Sequence, residues 1–229
     1  MPNLISKCNT LLKNCGFFYA YCGGYSFELF LNKKLRSHGD IDIIILEQDK
    51  KNAVEFFISN GWNIYSRNEH GELKLIMDCD DKDLSAQPMV WAIKPDCSTM
   101  RLEPVEAKKK VFTYEIINNE LLQLDYIEVI FGAAYNGEYI CDREKCITRE
   151  LGKAFLSNCG TMYLAPEIKL FYDSKPRYME LDYFKEKNRI DYEAVIPFVS
   201  RESKLWLIDA LERKYPEGNR RLEQVRMLV

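Results

Sequence analysis

"CGGYSFELFLNKKLRSHGDIDIIIL", residues 22–46, places two aspartates one residue apart inside the best apolar run of the chain. Gly23 and Gly24 interrupt the short apolar stretch "FFYAYC", and Phe27, Phe30 and Leu31 then recur at helical spacing. "DIDIIIL" is rich in β-branched residues and reads as a strand. In a strand, residues i and i+2 face the same side about 6.5 to 7 Å apart, so Asp40 and Asp42 are expected side by side. Bringing two carboxylates together in a core costs several kcal/mol unless positive charge sits between them. A divalent cation meets that need, because Mg²⁺ takes oxygen ligands and binds through one or two carboxylates plus substrate phosphates. The glycine pair stands where a strand turns into a helix, and there a bare backbone and the first helical N–H groups suit a phosphate. Read singly, each feature is plainer: an Asp-x-Asp at a wet strand end, a glycine pair in a turn. Together and in this order they predict a site for a nucleoside triphosphate and Mg²⁺.

Working outward, Leu4, Ile5, Cys8, Leu11, Leu12 and Cys15 predict an amphipathic helix that Gly16 ends. A second helix covers "DKKNAVEFFISNGW", with Val54, Phe57 and Ile58 on one face and Gly61 as its stop. "WNIYSRN" and "ELKLIMDC" predict a hairpin around "EHGE", and "KKVFTYEIINNELLQLDYIEVIF" another with its turn at Asn118-Asn119. Residues 80–110, with three prolines and many charges, read as a long, partly mobile excursion. Beyond Cys146 the pattern turns helical, in "APEIKLFYDSK", "MELDYFKEKN", "DYEAVIPFVS" and "SRESKLWLIDALERKY". The expected fold is α+β: a mixed sheet flanked by helices over residues 1–146, then a smaller helical domain over 147–229.

At 229 residues and 47% hydrophobic content the chain suits one or two globular domains. Its apolar runs are too short for a membrane span, and its first residues lack a signal-peptide block, so a cytoplasmic protein without membrane partners is expected. Eight scattered cysteines form no C-x-x-C pair, and only His38 and His70 could join them on zinc, so they read as reduced thiols. A net charge of −3 gives no basic field of the kind that draws nucleic acid. The acidic cluster Asp78, Asp80, Asp81 and Asp83 is not an EF-hand, since Lys82 takes a ligand position and no glycine follows where the loop needs one.

Cys22-Gly23-Gly24 followed by Asp40-Ile41-Asp42-Ile43 resembles the signature of the nucleotidyltransferase superfamily typified by DNA polymerase β. Tyr25, Glu28, Arg36 and His38 fall on the G-G-aromatic, acidic and R-x-H-x-D-I-D positions of the aminoglycoside and lincosamide nucleotidyltransferases within it. Weaker similarity to the aminoglycoside 2''-adenylyltransferase group continues through Glu128, Tyr139, Arg143, "YLAPE" at 163–167 and "RYMELDYF" at 177–184. Asn32, Gly24 and Asp173 depart from the usual Gly, Ser and Lys of such relatives.

The resemblance implies a third carboxylate on a neighbouring strand. Glu128 and Asp125, on opposite faces of "LQLDYIEVIF", are the candidates; the spacing to Tyr139 favours Glu128, and Asp78 is more distant. It further implies two Mg²⁺ ions on Asp40, Asp42 and that carboxylate, with ATP or another nucleoside triphosphate as donor. Gly23, Gly24, Tyr25, Ser26, Arg36 and His38 would bind the nucleotide, although Arg36 equally suits a surface ion pair and His38 an ordering role in its loop. The implied reaction moves a nucleoside monophosphate to a hydroxyl of a small acceptor such as an aminoglycoside. A catalytically silent nucleotide-binding module and transfer to a protein acceptor stand as alternatives. Glu180, Asp182, Glu186, Asp191 and Glu193 could attract a polycation but read more simply as wet helix faces, and Tyr172, Tyr178, Tyr183 and Phe184 as core.

Overall fold

A computed structural model describes residues 3–106, 108–142, 147–174 and 182–229. The first half of the chain runs α1 (Asn3–Leu12), β1 (Tyr19–Tyr21), α2 (Gly23–Leu31), β2 (Asp42–Leu46), α3 (Lys50–Ser59), β3 (Asn63–Arg67), β4 (Leu73–Ile76), α4 (Lys82–Ser85), β5 (Met89–Ile93), β6 (Met100–Pro104) and β7 (Val111–Ile116). It continues with β8 (Tyr126–Tyr135), β9 (Glu138–Asp142), β10 (Ile147–Glu150), α5 (Leu151–Ala154), β11 (Phe155–Asn158), β12 (Thr161–Leu164), α6 (Pro166–Asp173), α7 (Asp182–Val195), α8 (Arg201–Lys214) and α9 (Arg220–Arg226). Mixed sheet and flanking helices match the expected class. The chain divides into two compact units, Met1–Tyr21 with Arg36–Ala133, and Cys22–Leu35 with Ala134–Val229, rather than at 146/147. The sequence break was set by a change in local periodicity, whereas these units are set by which segments pack together.

In the first unit the strands lie in the order β1-β2-β8-β5-β3-β4-β7-β6. β2 and β8 are parallel, and every other neighbouring pair along that path is antiparallel. A strand in mid-sheet must be apolar on both faces, and β2 is: Ile43, Ile44 and Ile45 are all buried. α1 buries Ile5, Cys8 and Leu12, and the Tyr21 hydroxyl of β1 donates to the Ile5 carbonyl and to Asn9 Oδ1. α3 packs on β2 and β3 with Ala53, Val54 and Phe57 buried. Gly61 follows in the left-handed conformation that ends such a helix.

Two expectations fail in this unit. The supposed excursion over 80–110 contains α4, β5 and β6, and β5 lies between β8 and β3. Its "MVWAI" buries Val90, Trp91, Ala92 and Ile93, but it is only five residues long and Pro88 and Pro95 bracket it, so composition hid it. The second predicted hairpin does not form either. β7 pairs with β4 and β6, while β8 pairs with β2 and β5, because β5 fills the place beside β8. The sheet also curls: the Tyr114 ring of β7 meets the Trp91 ring of β5 edge-on at 5.0 Å, although β3 and β4 separate their strands.

The second unit opens with α2 and takes up the chain again at the end of β8. Asn136 and Gly137, both left-handed, turn it into β9, and β9 pairs with β10. Cys159 and Gly160 do the same between β11 and β12. Residues 147–164 are thus mostly strand, where the sequence reading had only helix. The expected helices follow: α6 begins at Pro166, α8 is capped by Ser200 accepting from Ser203 N, and α9, which the sequence reading missed, is capped by Asn219. Buried Arg149 ties β10 to α6 through Glu167 at 2.8 Å and lies over the Trp206 ring of α8. The first part of "MELDYFKEKN", with Glu180, lies outside the described residues, as do Tyr178 and Arg143.

Candidate active site

Asp42 opens β2 and stands in register with Glu128 on the parallel strand β8. The ladder extends one step further back, since Glu128 N–H donates to the Ile41 carbonyl at 2.8 Å. Asp40 therefore precedes Asp42 on the same face, as the period of two demands. The result is a cluster in which one carboxylate oxygen each from Asp40, Asp42 and Glu128 lies within 4.8 Å of the others. All three are part-buried.

Tyr126, two residues before Glu128 and hence on its face, donates its hydroxyl to Glu128 Oε1. Burial and the negative field of Glu128, with Asp40 and Asp42 behind it, hold that phenol far above its ordinary range, so it stays a proton-bearing donor. Trp91 of β5 is in register with Glu128 and packs its ring edge-on against Tyr126 at 5.4 Å. Sequence reading named neither aromatic residue. Alternation on β8 would have put Tyr126 on the face of Glu128, whereas Trp91 needed the strand order.

Asp125 occupies the other face, and its carboxylate is fully engaged. Oδ2 accepts from Ser98 N and Ser98 Oγ, both at 2.7 Å, and from Gln123 Nε2 at 3.0 Å. Oδ1 accepts from Thr99 Oγ1 at 3.0 Å. Burial works to raise this carboxyl, but the hydrogen bonds from Ser98, Gln123 and Thr99 outweigh it and leave it below the usual carboxylate value. Of the two candidates for the third carboxylate, Glu128 joins the aspartates and Asp125 does not. The more distant candidate, Asp78, is exposed and accepts from Asp80 N, while Asp81 caps α4.

The remaining candidates order backbone. His38 is buried and its carbonyl accepts Leu121 N–H at 2.7 Å; the Arg36 guanidinium donates to the Ser37 carbonyl. In the second unit Gly23 has φ +60°, a conformation that favours glycine, at the first position of α2. Cys22 supplies no side-chain cap to that helix, and the buried Ser26 hydroxyl donates back to the Gly23 carbonyl at 2.8 Å. Tyr25 is buried as well. Glu28, the motif's acidic residue, is buried and accepts Leu35 N–H at 2.7 Å, closing the turn after α2. Asn32 sits at the left-handed C-cap, which explains how it replaces glycine there. Lys169 pairs with Asp173 within α6. Glu186 and Glu193 both bridge Arg189 along α7, so those two charges are accounted for by a helix-surface network.

The donor set suits a hard cation. Three carboxylates offer oxygen alone, without sulfur or imidazole, a set that could hold an ion such as Mg²⁺.

No protein-family model and no curated protein matches the sequence. Among solved structures the chain is similar to the solution structure of the antibiotic-resistance factor ANT(2'')-Ia, at 12% identity and a TM-score of 0.47, over 98% of this chain and 96% of that one. It is also similar to ANT(2'')-Ia in complex with adenylyl-2''-tobramycin, at 12% identity and a TM-score of 0.49, over 92% and 96% of the two chains.

Proposed function

We propose that the protein is a Mg²⁺-dependent nucleotidyltransferase that moves a nucleoside monophosphate, AMP from ATP, to a hydroxyl of a small acceptor of the aminoglycoside type. The observation that carries this reading is the convergence of Asp40, Asp42 and Glu128 from adjacent parallel strands. Three carboxylates so close repel one another, and folding tolerates them best where a ligand supplies positive charge. Their order after a Gly-Gly turn, and the motif that spans both, support the nucleotide and the acceptor class.

Asp40, Asp42 and Glu128 would hold the metal, which when bound supplies Lewis acidity toward the phosphates and offsets charge on the departing pyrophosphate. Glu128 would accept the proton of the acceptor hydroxyl, and the Tyr126 hydrogen bond would orient its carboxylate for that task. The acceptor oxygen then bonds to the α-phosphorus as the bond to the β-phosphate oxygen breaks. The left-handed Gly23 turn and the first amides of α2 would hold phosphate, with Arg36 as a further cation.

The test is pyrophosphate release from each of the four nucleoside triphosphates with Mg²⁺, against aminoglycosides, lincosamides and cell extract. Release is expected with ATP and an aminoglycoside and is lost on chelation. Turnover that survives Asp42→Asn unchanged would overturn the proposal. Nucleotide binding without turnover would point to the silent module, and label appearing on protein to a protein acceptor.

A further inference from the structure

Asp125 is 2% exposed, and its four hydrogen bonds all run to two loops of its own unit. Through Ser98 and Thr99 it holds the loop after β5, which its backbone also grips by accepting Lys94 N–H at 2.9 Å. That loop in turn holds the segment before β8: the Thr99 carbonyl accepts Ile117 N–H and Asn118 N–H, and the Ser98 carbonyl accepts Asn118 Nδ2 at 2.7 Å. The same segment lies against the residues just ahead of Asp40. Leu121 N–H donates to the His38 carbonyl at 2.7 Å, Ser37 Oγ donates to Glu120 Oε1 at 2.9 Å, and a Cβ on Gly39 would meet the Asn119 carbonyl oxygen at 3.0 Å. One unbroken set of contacts therefore leads from a buried carboxylate to the backbone on which Asp40 is mounted.

We propose that Asp125 is a positioning residue for the metal centre: it fixes residues 117–121 as a splint that sets Asp40 beside Asp42 and Glu128. The inference rests on the proposed reading of those three carboxylates as metal ligands. A carboxylate that must find its place on each binding event holds a cation more weakly than one already held there. Asp125 does this with its own oxygens satisfied by protein donors, so it contributes rigidity to the site and no ligand atom. Gly39 is the other end of the device, since the splint's close approach leaves little room for a side chain at that position.

Mn²⁺ serves as the probe, its binding followed by electron paramagnetic resonance in the full chain without nucleotide. Asp125→Asn, Asn118→Ala and Gly39→Ala all retain the three carboxylates. Asp125→Asn is expected to raise the Mn²⁺ dissociation constant about 2- to 30-fold, the range for residues coupled to a site without touching it, and the other two less. Because they act along one path, Asp125→Asn and Asn118→Ala together should cost less in affinity than the product of their separate effects. A role confined to stability would instead lower the melting midpoint and leave Mn²⁺ affinity unchanged below it. Should Asp125→Asn fail to fold, Asn118→Ala decides the matter, because it removes only one side-chain hydrogen bond. Folded variants that bind Mn²⁺ as tightly as the parent would overturn the splint alone, whereas a parent chain that binds no Mn²⁺ would remove the metal reading and the splint with it.

Discussion

Asp125 and Glu128 lie three residues apart at the start of the same central strand, yet their surroundings resolve the cost of a carboxylate in opposite ways. Around Asp125 the protein brings four donors from Ser98, Thr99 and Gln123 to one carboxylate. Around Glu128 it brings two more carboxylates, Asp40 and Asp42, and a tyrosine hydroxyl. The first arrangement is complete in itself and serves to hold backbone. The second gathers like charges, an arrangement that suits a ligand bringing positive charge. Regions that carry function are often those the fold would be more stable without.

The sharpest way to break this contrast is Asp42→Asn. It removes one charge from the cluster, so the metal-free protein should melt at a higher temperature while turnover falls by several kcal/mol of lost transition-state stabilisation, about 10³-fold or more. In the parent, Mg²⁺ at 100 times its dissociation constant should stabilise the fold by about 2.7 kcal/mol, and the variant should lose most of that shift. Thermal scans with and without Mg²⁺ check both effects. A variant that melts lower than the parent in chelator would mean that the three carboxylates are not in conflict.

Tyr126→Phe sharpens the comparison from within the cluster. It deletes the hydroxyl that orients Glu128 and keeps the ring that packs on Trp91. The expected result is a fall of about tenfold in kcat, with the KM for the nucleotide little changed, because a partner that orients a ligand or base acts on the chemical step. Equal loss in both constants would assign the hydroxyl to substrate binding instead.

How much of this the sequence disclosed follows from the range of the interactions involved. α1, α3, α6 and α8 were readable because each repeats an apolar spacing and carries its own stop or cap, all local features. The placement of Asp40 beside Asp42 was readable for the same reason, as it needs only the strand period. β5 was not, because five residues between prolines become a central strand only when β8 and β3 flank them. The choice between Asp125 and Glu128 had the same character: alternation puts them on opposite faces, but which face meets Asp42 depends on a parallel register that no local pattern encodes. Ser98 and Thr99, which decide what Asp125 does, sit in a stretch that composition marked as mobile.

The smallest expected effect concerns acid. Because its hydrogen bonds keep the folded Asp125 carboxyl below its ordinary value, the unfolded chain binds this proton more readily than the native one between the two values. Asp125 therefore contributes stability that is fully present above its unfolded value, about 3.9, and fades as pH falls through the folded one. Urea unfolding of the parent and of Asp125→Asn should differ most from neutral pH down to about 5, and the difference should narrow as pH falls below about 3.9 and through the folded value, where both residues become uncharged. The neutral amide cannot accept all four donors with its single oxygen, which is why some difference should persist even there. A gap that moves in the parent's favour as pH falls from about 7 toward 3 would mean that the carboxyl is already protonated in the folded protein. Asp125 would then resemble a buried neutral acid, and the contrast with Glu128 would lie in protonation and not in hydrogen bonding.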